Sequence, residues 1–177
     1  MMKKLGLRDL IFISLCSVMG MIAKPLLSPM FNLLTDFIRI PGGSVTAGVS
    51  MLFLVFASAM TGKPGSAFLG GLVQRLMALT TGISAQAGVL VLITYSLPGA
   101  AIDLMMSLPV SLDTRTRMML AGAAGVLAGA ASANVLYFHM SFLPFILFYI
   151  FGILSGGLGG YIAYLLYTRM PSEYKNK

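Results

Sequence analysis

Few side chains in this sequence can do chemistry, and they lie far apart along an apolar chain. The 177 residues hold one histidine, one cysteine and five acids against twelve lysines and arginines. A closed metal site needs several His, Cys, Asp or Glu gathered together, and the scatter of these residues predicts none. A serine nucleophile needs a histidine at matching depth, but His139 falls at a helix end and no Gly-x-Ser-Gly-like run marks a serine. Cys16 reads as a small packing residue. The Gly62-Lys63-Pro64-Gly65 run lacks the spacing of a phosphate loop, so any ATP chemistry belongs to a partner. No catalytic residue is assigned and no cofactor is expected.

Binding chemistry remains. Arg75, with Gln74 beside it, sits midway along the apolar stretch 61–82. Guanidinium is a rigid fork of donors that stays charged, suited to a carboxylate, phosphate or carbonyl of a ligand. The alternative is an internal tie to backbone carbonyls or to Asp103. Asn134, Tyr137 and His139 stand before Phe142, Phe145, Phe148 and Tyr149. Polar groups beside aromatic walls suit a small-molecule pocket, and also an interfacial aromatic belt. Tyr95, Gln86 and Asn32 are weaker candidates for the same pocket.

The elements that must position these groups follow from composition. The chain is 58% hydrophobic and 10% charged, with a mean hydropathy of +0.91, whereas a soluble domain is about one-quarter charged. The expectation is an all-α integral membrane protein, one domain over residues 1–177, with six transmembrane helices at about 8–27, 44–60, 65–81, 85–108, 118–137 and 142–168. The basic N-terminus leads into an apolar run too long for a signal peptide, so it reads as the first membrane helix. The segment after Leu27 reads as a long connection, partly embedded or forming a short interfacial helix. Pro64 and the flanking glycines predict a tight turn before the third helix. The fifth helix, with AGAAGVLAGAASANV, and the Gly-rich sixth present small-residue faces for close packing.

With the N-terminus inside, Lys3, Lys4, Arg8, Lys63, Arg115, Arg117, Arg169, Lys175 and Lys177 all fall on the cytoplasmic side. This asymmetry places both termini in the cytoplasm and reads as a multi-pass cell-membrane protein. It also accounts for the net charge of +7 through contact with the lipid bilayer. No basic run is interleaved with aromatic residues, so nucleic acid is not a partner.

The order of parts resembles the substrate-binding S-component of energy-coupling factor (ECF) transporters, and most closely the branch associated with thiamine and its hydroxymethylpyrimidine precursor. The resemblance rests on the basic start, the long first outer segment, the Lys63-Pro64-Gly65-Ser66-Ala67 turn, Pro98-Gly99 with Asp103 downstream, and the Gly-rich last helix with its basic tail. It implies capture of a vitamin or vitamin precursor near the outer surface and its delivery inward when docked to a T-component and two ATPase subunits. It also implies a docking motif of small residues on the first helix, matched here by Cys16 and Gly20. The outer halves of the last three helices carry no acid to meet a cationic thiazolium, which tells against thiamine itself and leaves neutral or anionic ligands open. A second reading is a structural or assembly subunit that uses the small-residue faces of the fifth and sixth helices as its interface.

Overall fold

The computed structural model describes residues 5–36, 42–80, 91–109, 111–135 and 142–171. Six helices run in chain order: α1 (Leu7–Asp36), α2 (Gly42–Thr61), α3 (Ser66–Thr80), α4 (Val91–Ser107), α5 (Thr114–Ala133) and α6 (Phe142–Arg169). The helix α2 packs against every other helix, and the rest form an arc around it in the order α1, α3, α4, α5, α6. Its sequence explains the central place: Leu54, Val55, Phe56, Ala57, Ala59 and Met60 are buried in succession, and a helix apolar on every side needs neighbours on every side. Phe56 meets Phe12 of α1 with ring centroids 5.7 Å apart in a tilted arrangement.

Successive helices alternate in direction. Asp9, at the start of α1, bonds Lys63 after α2, and Asp103, near the end of α4, bonds Ala67 and Phe68 at the start of α3. One cavity touches Lys63, Ser107, Thr114 and Tyr167 together. Arg8, Lys63, Arg115, Arg117 and Arg169 therefore share one end of the bundle, hereafter the basic end.

Two boundaries depart from the sequence expectation. The helix α1 continues through Pro25 and Pro29 to Asp36, where a connection was expected after Leu27. Each proline removes a backbone donor, yet a single helix of 30 residues forms. At 1.5 Å per residue it is about 45 Å long and exceeds the bilayer core of about 30 Å. The helix α5 begins at Thr114, not near 118, so Arg115 and Arg117 lie within its first turns rather than in a loop.

The turn between α2 and α3 forms as expected. Gly62 and Gly65 have positive φ of 59° and 92°. Pro64 and Gly65 occupy the centre of a turn in which Pro suits the first central position and a positive-φ Gly the second. The helix α6 packs through its small residues on two sides at once. Gly48 of α2 donates its N–H to Ser155 Oγ at 3.1 Å, and Gly122 of α5 lies backbone to backbone against Gly156. The small-residue faces of α5 and α6 are thus spent on each other and on α2. By length and composition Leu7–Met30 and Ile146–Arg169 each suffice to cross a membrane, whereas the apolar stretch Thr46–Thr61 is shorter.

Candidate functional site

Polar groups buried in an apolar bundle mark where function or special packing resides. Asp103 illustrates the second. Its Oδ1 accepts from Ser58 Oγ and Ala67 N at 3.1 Å each, and its Oδ2 accepts from Phe68 N at 2.8 Å. A carboxylate therefore caps the N-terminus of α3 from a neighbouring helix, where the orphan amides and the positive end of the helix dipole favour it. Ser66 adds a local bond, its Oγ donating to Lys63 O at 2.7 Å. Arg75 lies eight residues beyond Ala67, about 12 Å along the axis, outside this node.

Gln74 and Arg75 form the second feature. Arg75 is fully buried and Gln74 is 3% exposed. Gln74 Nε2 has no hydrogen-bond partner among the described residues. A Cβ added to Gly20 would stand 2.5 Å from that nitrogen and 3.3 Å from Phe53, so the carboxamide lies in the seam where α1, α2 and α3 meet. One turn lower, Ser17 Oγ lies 2.7 Å from Ile13 O and 3.0 Å from Gly70 O, linking α1 to α3. Ser17, Ser58 and Thr46 are buried polar groups that sequence reasoning did not place in a network. Their signal was a hydroxyl in an otherwise apolar helix.

Helix registers locate the remaining candidates. Gly99 meets Ala67, Pro98 meets Gly129, and Gly152 meets Val126. Counting along the helices puts Asn134 level with Gln74 and Arg75. Tyr95 lies about one turn nearer the middle and Tyr149 about 9 Å nearer the middle. Asn134 continues the α5 helical path, its backbone N–H reaching Ala130 O and Ala131 O. Tyr149 is half-buried. These residues share a zone of depth on separate helices, away from the basic end. His139, Tyr137 and Gln86 lie outside the described residues.

Cys16 and Gly20 require a correction. Cys16 is 5% exposed, and Gly20 is buried against Gln74 and Phe53. The pair faces into this chain's own core, with Gly20 set against the end of the Gln74 side chain and against Phe53. It is not an open docking face. Gly20→Leu should therefore lower the melting temperature of the isolated subunit in detergent, in line with an overpacking cost of about 1–3 kcal/mol. Wild-type stability in that variant would return the pair to a partner surface.

Two cavities occur at the basic end. One of about 480 Å³ lies among the α2–α3 turn, the end of α4, the start of α5 and the end of α6. The other, of about 380 Å³, is bounded by Arg8, Phe12, Leu15, Met60 and Met170. No group of three or more His, Cys, Asp or Glu able to hold a metal is found among the described residues.

No curated protein and no solved structure matches the chain. The family described as "ABC-type cobalt transport system, permease component" matches residues 8–131. That span covers more than half of the 177 residues and contains α1 to α4 and most of α5, including the Asp103 node and the Gln74–Arg75 pair. The chain belongs to this family: it is a membrane transport component that works in the lipid bilayer with the other subunits of an ABC-type system.

Proposed function

We propose that the chain is the substrate-binding S-component of an ECF-type importer. In this reading it captures a vitamin or vitamin precursor at the end of the bundle opposite the basic residues and releases it inward when docked to a T-component and two ATPases. All six helices cross the membrane, with both termini and the basic end in the cytoplasm. The observation that carries the reading is the Gln74–Arg75 pair, an arginine fully buried beside a carboxamide nitrogen without a partner among the described residues, in a chain of a transport family. Fixed donors inside an apolar bundle are what a pocket for an acceptor-bearing solute uses. Asn134, Tyr95, Tyr149 and His139 complete the proposed pocket, and hydroxymethylpyrimidine or a related neutral or anionic precursor is the favoured cargo. The assembly-subunit reading loses support, because the faces of α5 and α6 that it needs are packed within the chain.

A thermal-shift screen of the detergent-purified chain tests this. The panel holds hydroxymethylpyrimidine, thiamine, other B vitamins and cobalamin precursors, with Co²⁺ added because the family description names cobalt. A cargo at a hundredfold over its dissociation constant adds about 2.7 kcal/mol to the folded state. Arg75→Gln should weaken binding of that cargo by about tenfold to a hundredfold, as expected for losing a charged hydrogen bond of about 1.5–3 kcal/mol. Unchanged affinity in a folded Arg75→Gln protein removes Arg75 from the pocket. A response to Co²⁺ alone makes the cargo a metal ion and ends the vitamin reading.

A further inference from the structure

The 480 Å³ cavity at the basic end belongs to neither the Gln74–Arg75 layer nor the transport reading built on it. Its wall carries Lys63 and Arg117, with the hydroxyl-bearing Ser107, Thr114 and Tyr167, against one acid, Asp103. That acid is already engaged: its oxygens accept from Ser58 and from two amides of α3, and the positive end of α3 offsets its charge. Lys63 gives one of its three ammonium hydrogens to Asp9 at 2.5 Å, and the others remain for the cavity. Thr114 brings the first turn of α5 to the wall, and the N-cap residue Asp113 makes no side-chain bond to the amides of that turn. Basic side chains, hydroxyls and a helix start converging on one space match the donor set of a tetrahedral oxyanion. The volume falls within the range of small-molecule sites, so it admits a phosphate together with the group that bears it.

We propose that this cavity binds a phosphate ester, either a soluble phosphorylated molecule or the headgroup of an anionic phospholipid, through Arg117, Lys63 and the start of α5.

The test uses the full chain in neutral detergent at constant ionic strength. Its melting temperature is followed against inorganic phosphate, glycerol 3-phosphate, dihexanoyl phosphatidylglycerol and dihexanoyl phosphatidylcholine, with sodium chloride as the screening control. A saturable rise with either soluble phosphate identifies a soluble ligand. A rise with phosphatidylglycerol alone identifies the lipid headgroup. Arg117→Gln should weaken the effective probe by about tenfold or more, the equivalent of one charged hydrogen bond. Arg115→Gln removes the same charge from an exposed position, where Arg115 lies 4.8 Å from the centre of the Tyr161 ring, and should leave the response intact. Should Arg117→Gln not fold, Thr114→Val, which deletes one wall hydroxyl, should weaken the same probe. The proposal is overturned by the absence of a saturable rise with any phosphate probe, or by equal losses in the Arg115 and Arg117 variants.

Discussion

Gly156→Val prevents the chain from reaching a stable folded state, whereas Gly157→Ala, one residue along the same helix, leaves it intact. At Gly156 a Cβ would stand 2.5 Å from Gly122 O, 2.8 Å from Val126 Cγ2 and 2.9 Å from Gly122 C. Two of these three atoms are backbone, so relief requires α5 and α6 to separate. At Gly157 the nearest atom is Met119 O at 4.0 Å, an ordinary contact. Lipid tails are as apolar as leucine, so helices in a bilayer associate through close packing rather than through escape from water. Prising apart the α5–α6 seam therefore removes the interaction that holds the two helices together. Overpacking costs about 1–3 kcal/mol where side chains can yield, and a backbone collision in this seam should cost more than about 3 kcal/mol. Size-exclusion profiles and melting curves in detergent read both variants: Gly156→Val should lose its monodisperse peak, and Gly157→Ala should stay within about 0.5 kcal/mol of wild type. A well-folded Gly156→Val protein would mean that α5 and α6 are not packed through these glycines.

That seam shows how much the sequence disclosed. Runs such as AGAAGVLAGAASANV and GILSGGLGG announce close helix approach whatever the partner. They do not say which helix approaches, and so the same residues supported both an internal seam and an external interface until Gly122 and Gly156 were placed together. The Cys16–Gly20 spacing failed for the same reason, since two small residues at i and i+4 make a flat face but the occupant here is Gln74 of this chain. The turn at Lys63-Pro64-Gly65 was legible because its chemistry is local: Pro fixes φ and Gly supplies the positive φ. The passage of α1 through Pro25 and Pro29 was not, because local rules end a helix at proline. Prolines persist within helices of membrane proteins where neighbours and small backbone adjustments satisfy the freed carbonyls.

The candidate site divides along the same line. Arg75 stood out from sequence because a charge within an apolar stretch is costly wherever it lies, and its complete burial agrees with that premise. The partners of Asp103 could not be read, because they are a hydroxyl 45 residues earlier and backbone amides 36 and 35 residues earlier, presented only once α2, α3 and α4 pack together. The cavity at the basic end was hidden for a related reason. Its wall draws on α2, α4, α5, α6 and the turn before α3, and the fifth helix was expected to begin only near 118, beyond Thr114 and Arg117.

Asp103→Ala should produce the second large loss, and its signature should be local as well as global. The substitution strips three donors of their acceptor, namely Ser58 Oγ and the N–H groups of Ala67 and Phe68. Ala67 is fully buried, so its amide has no ready route to water, while Phe68 is 37% exposed and recovers part of its bonding from solvent. On the other side Gly99 presses on the same peptide, since a Cβ there would stand 2.7 Å from Phe68 Cα. With about 1–3 kcal/mol for each buried group left unsatisfied, Asp103→Ala should cost about 3–5 kcal/mol. Asp103→Asn keeps the volume and one acceptor oxygen but turns an amide donor toward donors, and should fall between Ala and wild type. Melting curves give the global figure. Hydrogen exchange gives the local one: the Ala67 and Phe68 amides should exchange faster in Asp103→Ala while those of Val126 and Ala130 in α5 keep their protection. Unaltered protection at Ala67 and Phe68 would show that the carboxylate does not seat α3. If it does, the consequence reaches the proposed pocket, because α3 carries Gln74 and Arg75 about two turns farther along. A helix released at its first turn no longer holds those donors at fixed depth, so on the proposed site cargo affinity should fall in Asp103→Ala although Asp103 itself lies about 12 Å from Arg75 along the axis.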